Sequence, residues 1–215
     1  MTAEEKMEVA ESAYLKSIAI LKRLTDIKNG GQKFNKEYSK VLWNYEAAIQ
    51  GVLLYATVKS GVCMEETKQF IMNNTVTGDF LKTLNSVGKR KLYQKWQTIT
   101  WDNILDTSVP PDKLAQIAKE GIIEHVLSFA EPLAKVDQDI NTMDFAAEIS
   151  QCVKTILVAV CTPDAETLTA DIQDPGERYE AKLKLAELGV NAIEEGINVF
   201  NDAFLAFWKG STKID

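Results

Sequence analysis

A single histidine, His125, stands in a chain of 215 residues, and that scarcity removes whole classes of chemistry. A di-iron bundle of the usual kind needs two Glu-x-x-His pairs on facing helices, and the common zinc spacings also draw on several His and Cys side chains. Three cysteines, Cys63, Cys152 and Cys161, are an odd and sparse set without metal-ligand spacing, which fits a reducing compartment. On one helix, Cys152 and Cys161 would lie about 13 Å apart, too far to bridge, so they read as small apolar residues. No glycine-rich phosphate loop, Gly-x-Ser-x-Gly elbow, His-Glu-x-x-His or Cys-x-x-Cys occurs. The adjacent acidic pairs Glu65/Glu66 and Glu194/Glu195 point in different directions on a helix and read as solvated faces. These gaps favour a protein that is not an enzyme and carries no cofactor.

Positive charge is also in short supply. With 24 Lys and Arg against 31 Asp and Glu, the net charge is -7, the wrong sign for a surface that neutralises phosphates. Lys89-Arg90-Lys91 is the one basic run and reads as a solvated helix turn, so no nucleic-acid partner is expected. The longest uncharged apolar run, Ile156 to Cys161, falls far short of the roughly 20 residues of a membrane helix. The opening Met1-Thr2-Ala3-Glu4-Glu5-Lys6 is acidic where a signal peptide is basic and then apolar. A cytoplasmic, soluble protein with no membrane partner is the expectation.

Strand-like alternation is missing too, and helical periodicity fills the chain instead. Thr2 with Glu5 forms a capping box ahead of a helix that ends by Asn29-Gly30-Gly31. Asn35 can cap a second helix. Its stretch from Ala47 to Val58 has no charge, so most of its circumference is predicted to be buried. Lys59-Ser60-Gly61 breaks it. A short acidic helix from about Met64 to Asn73 follows, then one through Phe80, Leu84, Trp96 and Ile99. Pro110-Pro111 cannot lie inside a helix and marks the best internal boundary. Beyond it run a helix from about Asp112 to Lys135, a second apolar helix from about Asp144 to Cys161, a Pro163 turn, and a long helix opened by Asp174-Pro175-Gly176-Glu177. The fold class is therefore all-α, a bundle of about seven or eight helices with a long C-terminal one. Residues 1–109 and 110–215 form two helical units, a pseudo-repeat packed as one domain. Ile49, Val52, Leu53, Ala56, Ile149, Val153, Ile156 and Val160 are the predicted central core, since the two least charged helices have nowhere else to hide their surface.

The most regular pattern is an apolar seam at Tyr179, Leu183, Ala186, Val190, Ile193, Ile197, Phe200, Phe204 and Phe207, a 3.5-residue period that demands a packing partner along the helix. The helix is too long for a compact bundle to cover. Its far end is predicted to project, making Phe200, Phe204, Phe207 and Trp208 an interaction surface for a protein partner or a second copy; the competing reading packs the same residues inside the chain. The expected function is non-enzymatic, macromolecular interaction in an adaptor or assembly role. The alternative is a bundle that binds a small apolar ligand or a metal ion.

Two weaker features complete the reading. Asp137, Asp139, Asn141 and Glu148 match the oxygen-ligand spacing of a calcium-binding EF-hand loop, but Thr142 stands where the turn needs glycine and Asp144 where the loop is normally apolar. An acidic loop that caps the next helix is the preferred interpretation, and no metal is expected. His125, beside Gly121, Ile122 and Phe129, reads as a hydrogen-bonded residue at the edge of an apolar stripe. The stretch from Ala56 through Gly61-Val62 to Glu65-Glu66 resembles the helix-turn-acidic-helix of the TerB tellurite-resistance family over under a tenth of the chain, with Ser60 where that family has an aspartate.

Overall fold

In a computed structural model, residues 1–28, 36–73, 104–106, 108–133 and 142–211 are described, with no strand among them. They form seven helices: α1 (Ala3–Lys28), α2 (Lys36–Ser60), α3 (Glu65–Asn73), α4 (Pro111–Leu133), α5 (Thr142–Cys161), α6 (Ala165–Leu168) and α7 (Pro175–Ser211). The all-α bundle with a long last helix is thus realised. The elements through Phe80 to Trp101 and the Lys89-Arg90-Lys91 run lie outside the described residues.

Local chemistry sets the boundaries. At α1 the capping box closes both ways, Thr2 N–H donating to Glu5 Oε2 at 2.7 Å and Glu5 N–H to Thr2 Oγ1 at 3.2 Å. Asp174 Oδ1 accepts from Glu177 N–H at 2.8 Å, and Pro175 fills the first turn of α7, where its missing N–H has no partner to lose. α2 stops at Gly61, whose φ of 70° lies in the left-handed region that glycine enters without strain. Its N–H still donates to Thr57 O at 3.0 Å, tying off the last turn.

α2 is the axis of the bundle and packs against α4, α7, α1 and α5. Every residue from 44 to 58 is buried, which for the charge-free stretch 47–58 is the expected outcome. Ile49, Val52, Leu53 and Ala56 meet Ile149, Val153, Ile156 and Val160 in one cluster of buried side chains that draws on both sides of Pro110. α3 is fixed to α1 by the Lys6–Glu66 ion pair at 3.1 Å and to α5 by Thr67 Oγ1 donating to Val160 O at 2.6 Å.

Two glycines on α7 separate close approach from ordinary contact. A Cβ at Gly189 would sit 2.4 Å from Pro163 Cδ, so the α5–α6 turn rests directly on the helix backbone. A Cβ at Gly196 would meet Val52 Cγ1 at 3.5 Å, a normal van der Waals distance. Gly189→Ala is expected to lose about 1–2 kcal/mol, overpacking against a rigid ring outweighing the gain in helix propensity. Gly196→Ala is expected to be neutral or to gain up to about 1 kcal/mol. Urea denaturation of the two variants checks the contrast, and equal effects would show that the turn yields.

Candidate functional site

The long helix divides into two unlike halves, in the opposite sense to the sequence expectation. Phe200 and Phe204 are fully buried. Phe204 lies 5.3 Å from Phe129 of α4 and 5.4 Å from Phe200, ring centre to ring centre, and Phe129 meets Tyr45 of α2 edge-on at 5.5 Å. These rings join α2, α4 and α7, so Phe200 and Phe204 are core and not an interaction surface. The reason is their size: an aromatic ring removes more apolar area from water than any aliphatic side chain, and α7 spends its largest residues where three helices converge. The side chains of Phe207 and Trp208 lie outside the described residues.

It is the N-terminal half of α7 that stands clear. Tyr179, Leu183 and Val190 are 64%, 54% and 55% exposed, and Ala186 between them is exposed as well. Two effects combine. α7 has 37 residues and α2 has 25, so at 1.5 Å per residue the last helix outruns its neighbours by about 18 Å. A heptad seam on a straight α-helix also rotates by about 20° per heptad, or about 70° between Phe204 and Tyr179, which carries it off the core-facing side.

The short α6 holds this half in place. Glu166 Oε2 lies 2.5 Å from Lys182 Nζ and 3.8 Å from Arg178 Nη2, spanning one turn of α7. Arg178, Lys182 and Gly189 therefore face α6 and its preceding turn, while the stripe beside them is bare. Leu168 of α6 is exposed too.

A second feature is buried. Glu46 is 3% exposed, and its Oε1 accepts a short hydrogen bond from Tyr14 OH. Its Oε2 and the Nε2 of Gln50, one turn further along α2, have no protein partner among the described residues. Both line a cavity of about 10 Å³ with Tyr14, Ile49, Leu53 and Phe70, the size that admits one water. Burial raises the Glu46 carboxyl to about 7, and the Tyr14 hydrogen bond, which favours the charged form, only partly offsets it.

His125 is more deeply placed than an edge residue. It is buried, with Nδ1 3.0 Å from Asn44 Oδ1. Asn44 donates its amide N–H to Lys40 O at 2.8 Å, so its oxygen is left to accept from His125.

Of the acidic-loop residues, Asp137, Asp139 and Asn141 lie outside the described residues, and Glu148 is exposed on α5 beside Lys16 at 3.7 Å. Among the described residues no three His, Cys, Asp or Glu side chains gather as a metal site. Cys63, Cys152 and Cys161 form no disulfide, and burial pushes Cys161 up to about 12. An open groove of about 500 Å³ runs between α1 and α5, past Glu8, Ser12, Lys16 and Thr155. It takes in part of the 149–160 stretch and none of 47–58. The stretch Phe145–Leu168 is long and apolar enough to cross a membrane by composition, more so than the run Ile156 to Cys161 alone suggests. Half of its most apolar part is buried inside the bundle, where a core helix needs such residues. No family model, curated protein or solved structure matches the chain, and the resemblance around Gly61 stays local.

Proposed function

We propose that the protein works by binding another macromolecule through the N-terminal half of α7, in an adaptor or assembly role with no catalytic step of its own. The observation that carries this reading is the bare stripe Tyr179, Leu183, Ala186 and Val190 on a helix that Glu166 contacts through Lys182 and Arg178. Contiguous apolar surface on an ordered helix is costly to leave in water and marks a docking site. Its heptad spacing suits a helical partner, since the same seam packs against helices of this chain from Ile193 onward. A small apolar ligand, the alternative, would lie in the open α1–α5 groove, whose rim carries the charges of Glu8 and Lys16.

Leu183→Ser is expected to leave stability within about 0.5 kcal/mol of the parent, because the side chain touches little of the fold. A photo-crosslinking amino acid at position 183, in cells that make the protein naturally, is expected to capture a discrete partner that the same group at Lys184 does not. Identical capture from both positions, or a stability loss above about 2 kcal/mol for Leu183→Ser, would remove the stripe as a docking site.

A further inference from the structure

The two borders of the stripe carry different charges. With Leu183 and Val190 at heptad positions a, and Tyr179 and Ala186 at d, the e positions are Glu180, Glu187 and Glu194 and the g positions are Lys182, Gly189 and Gly196. On the g side the charge is already answered, Lys182 and Arg178 by Glu166, and Gly189 is covered by Pro163. On the e side three exposed carboxylates stand in a row, two turns apart, with no ion pair among the described residues. A helix laid along the stripe brings one of its own flanks onto that row.

We infer that the stripe docks an amphipathic helix of a partner protein whose flank is basic, with Lys or Arg set against Glu180, Glu187 and Glu194. This rests on the reading of α7 as the docking site. A second copy of the chain fits poorly in either direction. Antiparallel pairing of Leu183 with Ala186 of a second copy sets Glu180 against Glu187, twice over by symmetry, and like charges at e positions oppose association. Parallel pairing would set Lys182 against Glu187, a favourable contact. The partner helix continuing past its Val190 would then enter the space that α2, α4 and α5 fill against Ile193 to Phe204. An anionic membrane is disfavoured by the same row, which would be pressed toward lipid phosphates.

The test uses the full chain and two labelled 21-residue helical peptides that share Leu at a and d and differ only in carrying Lys or Glu at e and g. The basic peptide is expected to bind about tenfold more tightly than the acidic one, three rim ion pairs of a few tenths of a kcal/mol each adding to that factor. Reversing the row with Glu180→Lys, Glu187→Lys and Glu194→Lys is expected to invert the preference. Reversing three exposed carboxylates elsewhere, Glu8→Lys, Glu124→Lys and Glu131→Lys, is expected to preserve it. Leu183→Ser is expected to weaken both peptides at least tenfold. If Leu183→Ser weakens both but the row reversal changes nothing, or the control reversal acts equally, the basic-flank inference falls while the docking site stands. If neither peptide binds, or Leu183→Ser has no effect on their binding, the docking site itself falls. Light scattering of the free protein is expected to give a monomer at tens of micromolar, and a dimer dissolved by Leu183→Ser would replace the partner helix with a second copy.

Discussion

Phe204→Glu is expected to destroy the fold rather than release a smaller folded species, with a loss of roughly 5 kcal/mol or more. Removing a buried phenylalanine alone costs about 3–5 kcal/mol through lost transfer energy and the cavity left behind. A carboxylate in its place adds the desolvation of a charge set against the rings of Phe129 and Phe200. Losses of that size approach the whole stability of an ordinary domain. Circular dichroism and light scattering distinguish the outcomes. A helical, cooperatively unfolding protein of lower mass than the parent would show that Phe204 had been covering an interface between chains and not the core described here.

Glu46 gives the second large effect, and its sign is opposite to that of most carboxylates. The folded protein keeps the Glu46 proton up to about pH 7, against an ordinary value of 4.5. Between those limits the folded state binds one more proton than the unfolded chain, so stability falls as pH rises. The contribution is fully present below about pH 4.5 and gone above about pH 7, on the order of 3 kcal/mol across the window. Other groups titrate over the same range, so the measurement is a difference: denaturation of the parent and of Glu46→Gln at pH 5, 6, 7 and 8. The parent is expected to lose ground steadily relative to the variant, whose amide has no proton to release. A constant difference across that range would mean that the carboxyl is hydrated and titrates as it does in solution.

Most of the framework could be read before any coordinates. Helix ends were legible because they depend on chemistry within one turn, as Thr2 with Glu5 and Asp174 with Glu177 show. The central core was legible because a charge-free stretch such as 47–58 has only one place to go. The seam of α7 misled about its far end for a physical reason. A heptad records that a helix packs somewhere, while which half is covered depends on where the neighbouring helices stop, and that is set by tertiary arrangement. Large aromatic side chains near a chain end looked like interface anchors, yet Phe200 and Phe204 join three helices, and the bare half carries Tyr179, Leu183 and Val190 instead. The Glu46 cluster had no sequence signal of its own. Its environment comes from Tyr14, thirty-two residues away on another helix, and nothing local separates a buried glutamate from a solvated one.

The continuity of α7 ties its two halves mechanically. One unbroken ladder of backbone hydrogen bonds runs from Pro175 to Ser211, with the exposed apolar stripe at one end and the aromatic junction at the other. Amides of the outer turns can open without disturbing the core, whereas those between Ile193 and Phe204 open only when three helices part. A partner seated on the outer turns would suppress that fraying without adding a contact to the core. With such a partner in place, α7 would act as a lever whose outer arm is stiffened by occupancy, and a pull on that partner would be delivered to the point where α2, α4 and α7 meet.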